Sequence, residues 1–397
     1  MNIDRSFYLI VPPRKTDYGS KLSSSRLTGE TKLSSNDSPE KLTFTVGIMR
    51  NRTKLRPMHY TTLAMYIAKS YNVNCIFFAP RDIDTESKTI NAWVVENGEE
   101  IRKIVPYPEI VDNKPSLHRS LRRSEHIEAE KNLEAVKNLE KSSIFTRDSL
   151  NTTKMKTYKL LKNEGTFKDI LIPTYVLNSF QELESYLNNF DNNIIIKPSL
   201  GNRGNGVIKL LKEDNKYTVI SGNESQIFNI NDLEDYYHNI LKEKAHIVQP
   251  VINSRTLASN PFDIRIHAKK GKDGKFDITY CPRIGKYAHG IVSNIAAGGY
   301  SMNIDAFLKD EFGLFAENVK LDLIKIGNSF PEYYQNLHKS KKIFDLGLDI
   351  GIHRSTNSYK LYLFEVNIFL NGHSFELHSA KTSMEYYKYL HNIHFQK

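Results

Sequence analysis

The stretch from Asn192 to Leu210, NNIIIKPSLGNRGNGVIKL, places a lysine and a glycine-rich loop between two apolar runs. The first run, 194–196, ends at Lys197. The loop glycines are Gly201, Gly204 and Gly206. Glycines let backbone N–H groups approach phosphate oxygens without a clash from Cβ, and a lysine can reach such oxygens as a point charge. The pattern predicts either a phosphate-binding flap or a plain hairpin loop with a surface lysine.

The spacing of these glycines excludes two common phosphate-binding motifs. It reads G-x-x-G-x-G, whereas the dinucleotide fingerprint reads G-x-G-x-x-G and opens a helix. A P-loop would require Gly-Lys-Ser or Gly-Lys-Thr next, and this sequence has neither. An apolar run follows instead, so the loop is expected to be a flap between two strands.

Further polar residues occur at strand-like positions. FDIRIHAKK alternates, which puts Asp263, Arg265 and His267 on one face, too polar for a core. Upstream, NTTKMKTYKLL carries Lys154 near the start of a predicted helix. HIVQPVI reads as a strand whose backbone edge could bond an adenine. Other candidates are Arg283 in CPRIGKY and Asn294 in SNIAAGGYS.

Two alternating segments near the C-terminus carry carboxylates. KIFDLGLDIGIHR places Asp349 on its polar face, and LYLFEVNIF places Glu365 and Asn367 on one face. If these are adjacent strands, three oxygen-bearing side chains share one cleft. Such oxygen ligands suit Mg²⁺ together with substrate phosphates and water. The alternative is a hairpin with one polar, solvated face.

Four regions organise the chain. Residues 1–42 are polar and predict a flexible or loosely docked arm. Residues 43–115 read as strand, helix, strand and then a hairpin around Asn97-Gly98, which predicts a small βαβ domain. Residues 116–150 predict a charged helical linker, either solvated or in contact with an anionic partner. From residue 151 onward, strands alternate with short helices.

The composition says more about the binding partners of the protein than about its fold. The 397 residues carry a formal net charge of +10 and a pI near 9.2, which favours anionic partners or reflects a biased genome. No recognisable nucleic-acid-binding module occurs, so a nucleic-acid-binding function is disfavoured. Two distant cysteines, Cys75 and Cys281, make no disulfide framework or zinc pattern. No apolar run has the length of a membrane span. We therefore expect a cytoplasmic protein.

In their order along the chain, these motifs resemble the ATP-grasp superfamily. Lys154 is followed by IIIKPSLGNRGNG, IVQPV, FDIRIHAKK, SNIAAGG, GLDI and FEVN. Within the superfamily, residues 43–397 look most like the YheC/YheD family of endospore coat-associated proteins. The resemblance implies an ATP-grasp fold of mixed α/β and α+β class. Two α+β subdomains, 151–250 and 251–397, would follow a pre-ATP-grasp βαβ domain.

The resemblance also implies an activity and roles for the candidate residues. Most ATP-grasp enzymes are carboxylate–amine ligases that form an acyl phosphate from ATP. By position, Arg265 and Arg283 would steady the transferring phosphoryl group, and Asp349, Glu365 and Asn367 would bind Mg²⁺. Residues implied to hold ATP are Lys154, Lys197, Ser199, Gly201, Asn202, Arg203, Gly204, Gly206, Gln249, Val251 and Asn294.

Two departures from the superfamily pattern affect this interpretation. Gln249 stands where many members carry an acidic residue, and IFLNGHS follows FEVN where Pro-Gly usually follows soon after. The second departure puts the second-substrate pocket in doubt more than the metal site. We expect a ligase acting on an amino acid or peptide. The alternative is a spore-coat-associated structural protein that binds ATP without ligating anything.

Overall fold

The computed structural model describes residues 44–51, 59–114, 127–150, 152–201, 204–222, 224–288, 290–293, 295, 298–368 and 375–395. The arm predicted over 1–42 lies outside these residues. Three sheets and the helices packed on them make up the described part of the chain. None of its helices combines the length and apolarity needed to cross a membrane.

The first sheet contains the predicted βαβ unit. Its strands are β1 (Phe44–Met49), β2 (Val73–Phe78), β3 (Ile83–Asp84), β4 (Thr89–Glu96), β5 (Glu99–Pro106), β6 (Ile110–Asp112) and β7 (Ile144–Phe145). Helix α1 (His59–Ala68) joins β1 to β2, which pair in parallel. The hairpin between β4 and β5 turns at Asn97 and Gly98, both at positive φ, as two-residue hairpins require.

Helix α2 (Ile127–Glu140) lies in the region for which the sequence predicts a linker. In the structure, Val136 and Leu139 are buried in the core beneath the first sheet, and Ala129 is also buried. Because this apolar stripe gains more from burial than from solvation, α2 packs against the first sheet. Strand β7 extends the same sheet by pairing in parallel with β6.

The second sheet carries the glycine loop. Its order is β12-β11-β10-β9-β13-β8, and it is antiparallel throughout. Helices α4 (Phe180–Asn189) and α5 (Ile230–Tyr236) cover its apolar face. The strands are β8 (Tyr175–Leu177), β9 (Asn193–Pro198), β10 (Ile208–Glu213), β11 (Lys216–Ser221), β12 (Glu224–Phe228) and β13 (His246–Pro250).

The third sheet carries the predicted arginines and carboxylates. Its strands are β14 (Phe262–Lys270), β15 (Phe276–Ile284), β16 (Tyr300–Ser301), β17 (Asp345–Arg354) and β18 (Tyr359–Asn367), in the order β16-β15-β14-β17-β18. Helices α6 (Ile304–Phe312) and α7 (Ala316–Leu337) bury its apolar face. Leu161 of α3 (Lys154–Glu164) joins this core, so α3 packs with the third sheet.

The C-terminal helix α8 (Glu376–Phe395) packs against elements that are distant from it in sequence. Its Ala380, Met384 and Tyr387 lie in the core of the first sheet. A buried ionic chain joins the same two regions: Arg147 contacts Asp112 at 3.2 Å and Asp345 at 3.5 Å. The first sheet and the third sheet therefore share a packed junction that contains paired charges.

Candidate active site

A cavity of about 520 Å³ opens between the second and third sheets. Most of the sequence-predicted site residues line it: Lys154, Lys197, Gly201, Gly204, Gln249, Val251, Arg265, Arg283, Asp349, Glu365 and Asn367. Seven of its described lining residues are Lys or Arg, and three are Asp or Glu. The surplus of positive charge favours a polyanionic ligand.

Two lysines from different elements meet at one end of the cavity. Lys154 begins α3, whose N-terminus is capped by Thr153. Its Nζ lies 3.1 Å from Glu365 Oε1 and donates to the carbonyl of Gly201 at 2.9 Å. Lys197 ends β9, with its Nζ 5.6 Å from the centre of the Phe364 ring. Burial lowers the pKa of Lys197 to about 8, a fall that Glu365 opposes and Lys154 reinforces.

Gly201 and Gly204 of the glycine loop line the cavity. Gly204 and Gly206 both have positive φ, near +73° and +72°. A Cβ on Gly204 would come within 3.0 Å of Val292, so the loop already touches the segment after β15. A Cβ on Gly206 would press on Pro198, which makes Gly206 a packing residue at the base of the loop. Gly206 is outside the cavity lining.

Other predicted loop residues have different positions. Ser199 lines a smaller adjoining cavity of about 140 Å³, together with Lys154 and Gly201. Its backbone N–H donates to the carbonyl of Ala245, which ties the start of the loop to the residue that precedes β13. Asn202, Arg203 and Asn294 lie outside the described residues.

Gln249 occupies the strand edge predicted to meet a base. The residue is buried, and its Nε2 donates to Thr174 Oγ1 at 2.8 Å. Its Oε1 is buried without a hydrogen-bond partner among the described residues. Val251 follows at the cavity wall. Gln249 therefore offers one unsatisfied amide oxygen to a ligand.

A β-bulge brings two consecutive residues of β18 into the cavity. Asp349 pairs with Glu365, but the next residue of β17, Ile350, pairs with Leu363. Phe364 is the extra residue, and such bulges re-aim side chains. Both Phe364 and Glu365 consequently line the cavity. The ring of Phe364 lies across Gly351, where any Cβ would overlap it.

We expect Gly351→Ala to displace the Phe364 ring and to lower stability by about 1–3 kcal/mol, the usual cost of an added methyl in a packed site. Urea denaturation measures this loss. The double variant Gly351→Ala/Phe364→Leu should recover part of it, because the shorter side chain leaves room for the methyl group. A single variant within about 0.5 kcal/mol of the parent protein would contradict this placement of the ring.

The predicted arginines are held by carboxylates on neighbouring strands. Arg265 makes a two-pronged pair with Asp349, through Nε to Oδ1 and through Nη2 to Oδ2 at 2.9 Å. Arg283 makes a similar pair with Asp263, at 2.6 and 2.7 Å. Its Nη2 also lies 3.0 Å from Asp349 Oδ2. Paired forks of this kind fix the guanidinium planes and their direction.

The electrostatics keep this network ionised. Burial would raise the pKa of Asp349, but the guanidinium groups of Arg265 and Arg283 outweigh it and hold that pKa below its ordinary value. Burial likewise opposes charge on Arg283, yet Asp263 and Asp349 raise its pKa. Arg283 therefore remains charged, and the carboxylate pairs fix the position of both guanidinium groups.

The predicted metal ligands come together as an oxygen set. Asp349 and Glu365 face each other in register, and Asn367 lies opposite Gly347. Asn367 Nδ2 donates to Asp349 Oδ2 at 3.2 Å. No cluster of three or more His, Cys, Asp or Glu side chains that could hold a metal occurs in the described part of the chain. Two carboxylates and one amide fit Mg²⁺, which takes its remaining oxygens from phosphates and water.

Several cavity residues had no predicted role. Alternation placed Asp263 and His267 on the strand face of Arg265, but neither was given a role in the site. Lys114, Lys209 and Arg255 come from distant segments and carry no local signal. Arg255 donates to the carbonyls of Ser259, Ala288 and Gly290 at 2.5–3.0 Å. It thereby holds the segment that meets the glycine loop.

Relatives of known name include two proteins of Bacillus subtilis (strain 168). The endospore coat-associated protein YheC is 23% identical over 212 residues, which are 52% of this chain and 56% of YheC. The endospore coat-associated protein YheD is 25% identical over 334 residues, 80% of this chain and 70% of YheD. The match thus spans little more than half of YheC.

Solved structures of similar shape include D-cycloserine synthetase DcsG, with a TM-score of 0.48, 12% identity and coverage of 86% of this chain and 99% of that one. The ATP-grasp ligase PsnB complexed with a minimal precursor has a TM-score of 0.47 and 12% identity. The match covers 87% of this chain and 98% of the PsnB chain.

The sequence pattern of one family spans the loop, the arginines and the carboxylates just described. The family described as YheC/D-like ATP-grasp matches residues 143–395. This match covers well over half of the chain, and it confirms the fold class predicted from the order of the motifs. The chain belongs to the YheC/D-like ATP-grasp family.

Proposed function

We propose that the protein is an ATP-dependent carboxylate–amine ligase that forms an acyl phosphate on an amino acid or peptide. The observation that carries this proposal is the cavity itself. One wall supplies Lys197 and a glycine loop, and the other supplies arginines and a carboxylate set fixed in register. Phosphoryl transfer needs little from a protein beyond such positioning and charge neutralisation.

Each group of cavity residues has a role that follows from its position. Lys154 and Lys197 bind the phosphates of ATP, the loop covers them with backbone N–H groups, and the edge at Gln249 and Val251 meets the adenine. Arg265 and Arg283 hold the substrate carboxylate and the transferring phosphoryl group. A carboxylate oxygen attacks the γ-phosphorus, the bond to ADP breaks, and an acyl phosphate results. An amine then displaces the phosphate.

Asp349, Glu365 and Asn367 would hold Mg²⁺, which neutralises phosphate charge when bound. The Asp349 oxygens pair with Arg265 and Arg283, and Glu365 pairs with Lys154. The guanidinium groups of Arg265 and Arg283 keep the Asp349 carboxylate ionised, with its pKa below the ordinary value. A cytoplasmic location, including association with spores, is part of this proposal.

The direct test measures binding of an ATP analogue and traps the acyl phosphate with hydroxylamine. Calorimetric titration with a non-hydrolysable ATP analogue and Mg²⁺ should give saturable binding at one site. With ATP, Mg²⁺, a panel of amino acids and hydroxylamine, the protein should form a hydroxamate, the product of a trapped acyl phosphate. Hydrolysis of ATP without hydroxamate from any carboxylate would contradict the ligase proposal.

A second candidate function is suggested by the names of the relatives, both described as endospore coat-associated. In that case the protein would bind ATP for structural purposes and ligate nothing. The same two measurements separate the candidates, because a structural protein would bind the analogue and form no hydroxamate.

The pH dependence of ATP binding tests Lys197. Since the Lys197 pKa lies near 8 without ligand, its charge is present at pH 7 and largely lost at pH 9. Bound phosphates raise that pKa, so ATP affinity should fall by about tenfold between pH 7 and pH 9. Calorimetry with the ATP analogue measures the change.

Matched variants separate Lys197 from other titrating groups. Lys197→Arg stays charged throughout this range and should flatten the pH profile. Lys197→Ala should weaken binding about tenfold or more at pH 7. Lys216→Ala, at an exposed position on β11, should leave the profile unchanged. A flat profile in the parent protein would remove Lys197 from the phosphate site.

A further inference from the structure

The two carboxylate oxygens of Asp349 are held unequally. Three N–H groups lie near Oδ2: Arg265 Nη2 at 2.9 Å, Arg283 Nη2 at 3.0 Å and Asn367 Nδ2 at 3.2 Å. Oδ1 has one such contact among the described residues, with Nε of Arg265. A carboxylate oxygen has about two lone pairs to share. Oδ2 is therefore saturated, and Oδ1 is the oxygen that a metal ion can use.

The contact with Arg265 opposes a metal ion at that oxygen. A divalent ion bonded to Oδ1 at about 2.1 Å would lie within about 5 Å of Arg265 Nε, because the same oxygen accepts from that nitrogen. The Asp349 side chain is only 9% exposed, so water screens the two positive charges poorly. The Arg265–Asp349 pair and a metal ion on Asp349 therefore compete for one oxygen.

The other two residues of the oxygen set are not blocked in this way. Glu365 contacts Lys154 through one oxygen, Oε1, and its side chain is 26% exposed. Asn367 uses its amide nitrogen to reach Asp349, which leaves its amide oxygen for a cation. The part of the set on β18 can therefore accept a metal ion while Asp349 on β17 still holds its arginines.

Of the two arginines, Arg265 is the one that can be released from Asp349. Arg283 is held independently by Asp263, through two hydrogen bonds of 2.6 and 2.7 Å. The side chain of Arg265 bonds only Asp349 among the described residues. It is also more exposed, 21% against 13% for Arg283, and it lines the cavity. An oxyanion in the cavity can therefore become the partner of Arg265 without disturbing Arg283.

We propose that Arg265 controls metal binding by exchanging partners. An oxyanion in the cavity takes the guanidinium group from Asp349, and Oδ1 of Asp349 then becomes a metal ligand. The oxyanion is the substrate carboxylate or the transferring phosphoryl group, since both present oxygens to a guanidinium fork. This inference rests on the ligase function proposed above and adds the order in which its site assembles. Because coupling between two ligands is reciprocal, the oxyanion and the metal ion each raise the affinity for the other.

Titration of the full chain with Mn²⁺, in place of Mg²⁺, tests the exchange without nucleotide. Electron paramagnetic resonance measures the unbound Mn²⁺. Arg265→Met should raise the Mn²⁺ affinity about tenfold, because it releases Oδ1 of Asp349. In the Asp349→Asn background, the same substitution should change the affinity by less than about twofold, since the released oxygen no longer carries charge. Because no catalysis is required, the result is independent of whether ligase activity is found.

A matched control separates the exchange from a general loss of positive charge. Lys209 lines the same cavity from β10 and makes no contact with Asp349 among the described residues. Lys209→Met should change the Mn²⁺ affinity by less than about threefold. An equal gain for Lys209→Met and Arg265→Met, or the same gain for Arg265→Met in both backgrounds, would overturn the proposal. Arg265→Gln replaces Arg265→Met if the latter does not fold.

The parent protein provides a second measurement that does not depend on the folding of a variant. Acetate presents a carboxylate and methylphosphonate presents a phosphoryl-like oxyanion. The anion that takes Arg265 should raise the Mn²⁺ affinity about fivefold or more, after correction for its own Mn²⁺ complex in protein-free buffer. In Arg265→Met, neither anion should have this effect. An unchanged Mn²⁺ affinity of the parent protein with both anions would overturn the proposal, as would an equal effect of the anions on Arg265→Met.

Discussion

Arg265→Met is expected to reduce turnover by about a thousandfold, about 4 kcal/mol on the barrier. Arg265 is the only side chain that reaches both oxygens of Asp349 among the described residues, and it faces the cavity from the middle of β14. A fixed cation aimed at developing charge is worth far more in a protected site than in water, and removing one such donor typically costs a hundredfold to a thousandfold.

The same substitution should have a smaller effect on folding. Asp349 would keep Arg283 at 3.0 Å and Asn367 at 3.2 Å, so its charge would remain partly compensated. We expect a loss of about 1–2 kcal/mol, below the cost of stranding a buried charge entirely. The pKa of Asp349 should rise, since one of the two groups that lower it is gone.

Phosphate release with ATP, Mg²⁺ and pooled amino acids measures turnover, and thermal unfolding measures stability. Arg265→Lys keeps the charge but loses the fork, and it should recover only part of the activity. Arg354→Met removes an arginine that pairs with Glu311 outside the cavity lining, and it should leave turnover unchanged. Turnover within about threefold of the parent for Arg265→Met would show that this arginine only braces Asp349.

Glu365→Gln is expected to reduce turnover by at least about a hundredfold, about 2.7 kcal/mol. The substitution keeps the shape of the side chain and removes one of the two carboxylates in the oxygen set. The Mg²⁺ concentration needed for tight binding of the ATP analogue should rise about tenfold or more, because a neutral amide attracts a divalent cation far less. This second measurement does not depend on catalysis.

Stability without ligand should change little in this variant. Glu365 pairs with Lys154 at 3.1 Å, but both side chains are partly exposed. Pairs of this kind contribute about 0–1 kcal/mol. Glu96→Gln breaks a comparable pair with Lys103 on the first sheet and serves as the control. A Glu365 variant with an unchanged Mg²⁺ requirement would show that the metal set has been misplaced.

The local chemistry of this protein was determined by short stretches of sequence. Alternation placed Arg265 beside Asp263 and His267, and placed Glu365 with Asn367, because adjacent side chains of a strand point to opposite faces. The order of these stretches was enough to predict the ATP-grasp fold, which the family match confirms. A flap between two strands was predicted because the glycine spacing does not match the helix-opening phosphate motifs and an apolar run follows the glycines.

The tertiary structure decided which of these residues meet. Register across β14, β17 and β18 pairs Arg265 with Asp349 and Asp349 with Glu365, and no local pattern encodes a register between distant strands. The bulge that turns Phe364 into the cavity, and the packing of α8 on the first sheet, depend on cores assembled from separate segments. Residues such as Arg255 and Lys209 enter the site for the same reason: long-range packing, which local periodicity does not report, brings their strands and loops to the cavity.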